Sequence, residues 1–266
     1  MNDPQADDPM RQLSELPSLD VEGPIARLTI RRPQHQNRLQ DDDLACLLEH
    51  FARINGERSI RVVLIDALVR SRNPVFSAGY HIGEFDEALE KPNFEGVMNA
   101  LEALRPVTIC ALRGSVYGGA TDIPLASDLV VAADDVQMQM PAARLGLHYY
   151  AQGLRRYVSR IGTRASKLAF LTARPFDAAA LLAIGYVHEL AQRDALDERV
   201  NGLAAEVVSL APAALQSLKR SLNEISRGTA DDAELARRAD ASMTTAEFSE
   251  GRRAFAERRQ PFWTEE

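Results

Sequence analysis

Apolar runs alternate with polar, turn-prone segments through the first half of the chain. Two of the runs, Arg61-Val62-Val63-Leu64-Ile65 and Val107-Thr108-Ile109-Cys110-Ala111-Leu112, read as buried strands. Residues 25–30 alternate as a further strand. A helical period follows, in which Leu44, Leu47, Leu48, Phe51 and Ile54 form one stripe and Asp41-Asp42-Asp43 cap the helix and complement its dipole. Strand, turn and helix then recur through Asp135. From Arg164 onward the pattern is helical over 164–171, 177–184, 195–210, 212–226, 231–248 and 251–258, punctuated by Gly162, Gly185, Pro212 and Gly228, so the sheet is expected to have ended. Residues 1–20 are acidic, proline-containing and without period, as in a mobile or surface-draped extension.

Two glycine-bearing turns stand at or near the strand exits. One is Phe76-Ser77-Ala78-Gly79-Tyr80-His81-Ile82-Gly83-Glu84-Phe85, the other Gly114-Ser115-Val116-Tyr117-Gly118-Gly119-Ala120-Thr121-Asp122. Small residues there let a ligand reach main-chain N–H groups, and two such turns facing each other would hold an oxyanion. A Gly-Gly before a helix is by itself a common conformational device. The ordered succession of segments around the two turns carries more than either turn alone.

That succession resembles the crotonase superfamily, the enoyl-CoA hydratase and isomerase group, over residues 21–263. Arg32-Pro33-Gln34-His35-Gln36-Asn37-Arg38-Leu39 is similar to the family's first strand exit, usually Arg-Pro followed by Asn-Ala-Leu. Residues 76–85 resemble its first oxyanion loop; Gly118-Gly119 with Asp128-Leu129-Val130-Val131-Ala132 resembles the second. Pro141-Ala142-Ala143-Arg144-Leu145-Gly146-Leu147, Ile161-Gly162, Leu171-Thr172-Ala173-Arg174, Ala183-Ile184-Gly185-Tyr186-Val187 and the tail from Glu250 to Pro261 follow in the family's order. The resemblance implies an α/β fold, a crotonase-like spiral of strand-strand-helix repeats with a C-terminal helical trimerisation region. It divides the chain into an extension at 1–20, an α/β core at 21–190 and a helical region at 191–266. It also implies a homotrimer or hexamer.

The chemistry implied is that of an acyl-CoA enzyme, a lyase or isomerase, that stabilises a thioester enolate during hydration or double-bond isomerisation. The amides of Ala78 and Gly119 correspond to the oxyanion donors, with a helix opening at Gly119 and running through Ala126 adding its dipole. Gly79, Tyr80, His81 and Gly118 fall beside the substrate, and Arg38 is the candidate for the coenzyme phosphates. Arg252, Arg253, Arg258 and Arg259 form a basic cluster whose charge is accounted for mostly by pairing with Glu250 and Glu257.

Hydratases of the family hold a water with two glutamates, and here those places are Asp122 and Ala142. Alanine neither takes nor gives a proton, which puts two-carboxylate hydration in doubt. Tyr150, where some relatives carry an aspartate, and the neighbouring His148 are the candidates to complete the set; Tyr149 reads as pocket wall. Two alternatives follow: a catalytically inactive acyl-CoA-binding paralogue, and a carbon-carbon bond hydrolase of the β-diketone-cleaving branch. The second relies on histidine and aspartate where Ala142 and Tyr150 stand.

Composition adds limits. A chain of 266 residues with 45% hydrophobic residues can bury a large core. Its net charge of -7 argues against nucleic acid as a partner. No apolar run reaches membrane-spanning length and no secretion signal is visible, so a cytoplasmic location is expected. Cys46 and Cys110 suit reduced, packed thiols without metal-ligand spacing. No metal or cofactor is expected beyond the coenzyme A of the substrate.

Overall fold

The computed structural model describes residues 15–80 and 93–263. Its strands form two sheets. The larger contains β1 (Ser18–Glu22), β2 (Ile25–Ile30), β3 (Val62–Ala67), β5 (Val107–Leu112), β7 (Leu129–Ala133) and β10 (Glu189–Ala191), in that spatial order. All pairs but β1 with β2 are parallel. Every side chain of β3 and β5 is buried, which is why their sequences are nearly continuous apolar runs rather than alternating ones. The smaller sheet contains β4 (Val75–Ser77), β6 (Ser115–Tyr117), β8 (Gln137–Gln139) and β9 (Phe176–Asp177). The chain visits the two sheets in turn, β3 then β4, β5 then β6, β7 then β8, with a helix after each pair. This is the strand-strand-helix spiral expected from the sequence.

The helices are α1 (Asp41–Gly56), α2 (Phe94–Glu102), α3 (Asp122–Ala126), α4 (Ala151–Thr172), α5 (Ala178–Ala183), α6 (Leu196–Val208), α7 (Pro212–Arg227), α8 (Asp232–Ser242) and α9 (Ala246–Glu257). On α1 the stripe Leu44, Leu47, Phe51 and Ile54 is buried, as its period predicts. The cap residue is Gln40: its side chain takes the Asp43 amide while the Asp43 carboxylate takes the Gln40 amide at 2.9 Å. Asp43 therefore closes a capping box from inside the helix.

Four features differ from expectation. Both sheets gain a late strand, β9 and β10, too short to show a period, so the sheet does not end before Arg164. Ser18 already pairs with Thr29, which places the last residues of the 1–20 segment in β1. Helix α4 starts at Ala151 and kinks at Gly162 (φ 73), the point where the apolar pattern breaks. The 231–248 helix is two helices, because the Thr245 hydroxyl accepts from the Phe248 amide and starts α9.

Candidate active site

Strands β4 and β6 are parallel neighbours, with Val75 opposite Ser115 and Ser77 opposite Val116, so the turns that leave them emerge side by side. Gly114 permits this approach: a β-carbon there would lie 2.6 Å from the Phe76 nitrogen. Beyond the strands, Gly79 adopts φ +96, and a β-carbon on it would lie 3.0 Å from both the Gly119 nitrogen and the Tyr117 oxygen. Gly118 (φ +57) faces the Ala78 carbonyl. The two turns singled out in the sequence meet.

One of the two expected donor amides is engaged within the protein. Among the described residues no acceptor takes the Gly119 N–H, but the Ala78 N–H donates to the Gln36 carbonyl at 2.9 Å. Gln36 and Asn37 both adopt left-handed conformations, and that turn presents the carbonyl to Ala78. Ala78 is therefore spent on the fold and is not a donor to a ligand. The Gly79 amide donates to the Ser77 hydroxyl at 3.2 Å, and Tyr80 bridges Leu39 in parallel, the Leu39 amide donating to the Gly79 carbonyl at 2.8 Å. The fully buried Asn37 staples the first strand exit to this loop, its amide donating to the carbonyls of Leu68 and Val75. His81 lies outside the described residues.

Behind Gly119 the chain forms a 3-10 turn, Gly118–Thr121, before the five-residue α3, so the helix expected through Ala126 is split. Thr121 anchors the turn: its hydroxyl donates to the Gly118 carbonyl at 2.6 Å, while Tyr157 and Tyr186 donate to its hydroxyl and its carbonyl. Phe94, the first residue of α2, brings its ring to 3.3 Å from the position of a β-carbon on Gly119.

Asp122 is fully buried, and described residues hold both of its carboxylate oxygens. Arg156 Nε lies 2.9 Å from its Oδ1 and the second terminal nitrogen 2.6 Å from Oδ2; the Tyr150 hydroxyl donates to Oδ2 at 2.5 Å. Tyr149 donates to the Tyr150 oxygen (3.1 Å) or to the Gly119 carbonyl (3.3 Å). Burial, the Asp122 charge and the hydrogen bond to Asp122 hold the Tyr150 phenol far above its ordinary range, so it remains a neutral hydroxyl. Burial does the same to Tyr149. Burial pulls Arg156 down, but its hydrogen bonds to Asp122 and the charges of Asp122 and Glu102 more than offset this.

The structure thus brings together Gly79, Gly118, Gly119, Asp122 and Tyr150, with Tyr80 in the adjoining loop. His148 is exposed and makes no hydrogen bond among the described residues, so it does not join Asp122. Ala142 is buried in a 3-10 turn, leaving no titrating group at the second carboxylate place. Arg156 escaped the sequence reading because its partners, Asp122 and Glu102, lie far from it along the chain. Gly153 escaped it too: a β-carbon there would lie 2.4 Å from the Tyr149 ring and 2.7 Å from the Tyr150 ring, so its bare backbone makes room for both.

Toward the outside, Arg38 is half-buried and its buried Nε has no acceptor among the described residues. Pro33, Gln36, Arg70, Ser71, Arg72, Asn73 and Val75 line a cleft of about 560 Å³. Among the described residues neither Arg70 nor Arg72 has a carboxylate partner. The C-terminal arginines divide: Arg253 and Arg259 are committed to Glu250, and Arg252 lies over the Phe248 ring.

The spiral of paired strands with two glycine turns meeting at one edge defines the crotonase fold, and a structure of an enoyl-CoA hydratase/carnithine racemase from Magnetospirillum magneticum superposes on it with TM-score 0.86, at 24% identity over 94% of this chain and 96% of the other. The enoyl-CoA hydratase/isomerase family profile matches residues 20–266, and the chain belongs to that family. Among its relatives are a carnitinyl-CoA dehydratase of Citrobacter koseri, 28% identical over 91% of this chain and 95% of that one, and the human mitochondrial enoyl-CoA hydratase domain-containing protein 2, 30% identical over 93% and 89%. Among the described residues no helix is long and apolar enough to cross a membrane, and no acidic, histidine or cysteine cluster could hold a metal ion.

Proposed function

We propose that the protein binds an acyl-CoA thioester and stabilises its enolate at the meeting of the two glycine turns. The carrying observation is the Gly119 N–H, which no described residue accepts, in a space kept clear by the absence of a side chain on Gly79. The partner donor passes from Ala78 to Tyr80. In a parallel bridge the residues flanking the bridged one bond across it, so the Tyr80 peptide nitrogen is directed away from Leu39, toward the edge along which β6 runs. Arg38, Arg70 and Arg72 suit the phosphates of the coenzyme.

The proton-bearing group beside this space is the Tyr150 hydroxyl, its ring packed edge-on to Phe94 and its proton held by Asp122. A neutral hydroxyl that already donates to a carboxylate takes a proton only as its own passes to that carboxylate, so the pair works as one relay: the Tyr150 oxygen takes the proton leaving C2 while its own moves to Asp122, and the reverse transfer delivers a proton to C4. That arrangement supports a reaction with one proton relay, such as double-bond isomerisation, ahead of two-carboxylate hydration. Incubating the purified protein with saturated, 2-enoyl and 3-enoyl thioesters, while following the conjugated-enoyl absorbance and the products by mass, tests this. Conversion between 3-enoyl and 2-enoyl isomers without net water addition is the expected result. Rapid formation of 3-hydroxyacyl-CoA would overturn the preference.

A second reading is favoured by one observation: both Asp122 oxygens are already occupied, as in a site that binds without turnover. Binding measured by calorimetry with no chemical change across the panel would establish it. The exposed Leu218, Leu222 and Phe255 of the C-terminal helices support assembly into a homotrimer or hexamer, which mass determination in solution tests.

A further inference from the structure

Arg156 is an almost completely buried cation whose guanidinium faces two ways. Nε and one terminal nitrogen grip the Asp122 carboxylate. The other terminal nitrogen reaches α2, donating to Asn99 Oδ1 at 2.9 Å and Glu102 Oε2 at 3.3 Å. Glu102 is itself buried and shared with Arg227 at 2.6 Å and Arg160 at 3.5 Å. One planar fork therefore joins the acceptor of the Tyr150 hydroxyl to the helix whose first residue, Phe94, lies against Gly119.

We infer that Arg156 is a positioning residue: it locks Asp122 in place as the acceptor that aims the Tyr150 hydroxyl, and through Asn99 and Glu102 it holds α2 so that Phe94 stays seated beside Gly119. The inference rests on the proposed role of Tyr150. A charge buried this deeply needs partners on every side, and the guanidinium supplies several fixed donors in one plane. Lysine keeps the charge but offers no fork, so it cannot hold both carboxylates in the same geometry. Asp122 is one methylene shorter than the glutamate of the hydratase pattern.

The test compares Arg156→Lys with wild type in protein labelled with 3-fluorotyrosine, the Tyr150 fluorine resonance being assigned with Tyr150→Phe. Expected results are a moved Tyr150 resonance, a kcat lower by about tenfold or more and a raised KM, because both arms of the fork are lost. In the Tyr150→Phe background, Arg156→Lys should lower kcat by less than about twofold, because residues acting as one unit are not additive. An unmoved resonance, or losses that multiply in the double variant, would overturn the inference. Should Arg156→Lys not fold, Asn99→Ala, which removes one of the two acceptors on α2 and leaves the grip on Asp122, is expected to raise KM with kcat within about twofold; a fall in kcat of tenfold or more there would count against the division of roles. If wild type converts no thioester, the reading of Tyr150 as a proton carrier fails, whereas the fluorine signal still decides whether Arg156 aims it.

Discussion

The nitrogen of Gly119 lies 3.0 Å from the point where a β-carbon on Gly79 would sit. A methyl group there would cover the Gly119 amide, which meets no described acceptor. It would also have to adopt φ +96, a conformation L side chains rarely take. Gly79→Ala is therefore expected to cost about 1–3 kcal/mol of stability through backbone strain. It should also lower turnover by roughly a hundredfold or more through the lost oxyanion contact. Denaturant titration separates the two effects. Unchanged turnover in a destabilised variant would mean that Gly119 is not a donor.

Tyr150 and Asp122 share one hydrogen bond but should respond differently to substitution. Tyr150→Phe leaves the Asp122–Arg156 pair intact, so its stability cost is expected near 1 kcal/mol, the worth of one hydrogen bond. Its kcat should fall by about 10² to 10⁴ if the hydroxyl carries the proton. Asp122→Asn removes the charge that faces a buried guanidinium, and breaking such a pair costs about 3–5 kcal/mol. The order of stabilities, wild type above Tyr150→Phe above Asp122→Asn, can be read from urea unfolding. Because burial and Asp122 keep the phenol neutral far above its usual range, the rate should show no limb from phenol ionisation between about pH 6 and 10.

The parts of this site legible in the sequence are those set by backbone chemistry. Gly79, Gly118 and Gly119 announce turns where a side chain would intrude, and the buried runs of β3 and β5 announce the sheet that leads toward them. Which amide serves is another matter: it depends on where the Gln36 carbonyl points, and that follows from two left-handed residues that no apolar period reveals. Side-chain partnerships are hidden for a related reason. Arg156 and Glu102 look like solvated helix positions, and only the crossing of α4 over α2 turns them inward. The strands β9 and β10 are too short to carry a pattern, and Ala142 shows what is missing without showing what replaces it.

On the proposed reading the cleft beside Arg70 and Arg72 takes the nucleotide end of the ligand, so it can be probed apart from the acyl end. Replacing either arginine with alanine should raise KM for a coenzyme A thioester by roughly 5- to 10-fold, about 1 to 1.4 kcal/mol, without changing kcat. The effect should shrink as salt rises, because both side chains are exposed. An N-acetylcysteamine thioester carries no phosphate, so its kinetics should be indifferent to both substitutions. Equal losses on the two substrates would place the arginines outside the ligand's path.

At the far end of the chain, Glu250 gathers the tail. Its carboxylate accepts from Arg259 at 2.6 Å, from the Phe262 amide at 2.8 Å and from Arg253, and these partners, Arg259 foremost, hold it well below the usual carboxylate range. A carboxyl lowered in the folded state contributes stability that is complete above its unfolded value, near pH 4.5, and is lost progressively as pH falls toward the folded value. The single tryptophan, Trp263, stands one residue beyond this clasp, its indole N–H donating to the Ser209 carbonyl at 2.7 Å. Acidification below about pH 4.5 should therefore shift Trp263 emission toward that of solvated indole before far-UV ellipticity changes, since the clasp holds the tail and not the sheets. In Glu250→Gln the emission should be partly shifted at neutral pH and nearly flat across the same range. A Glu250→Gln protein with the wild-type acid transition would assign that transition to other carboxylates.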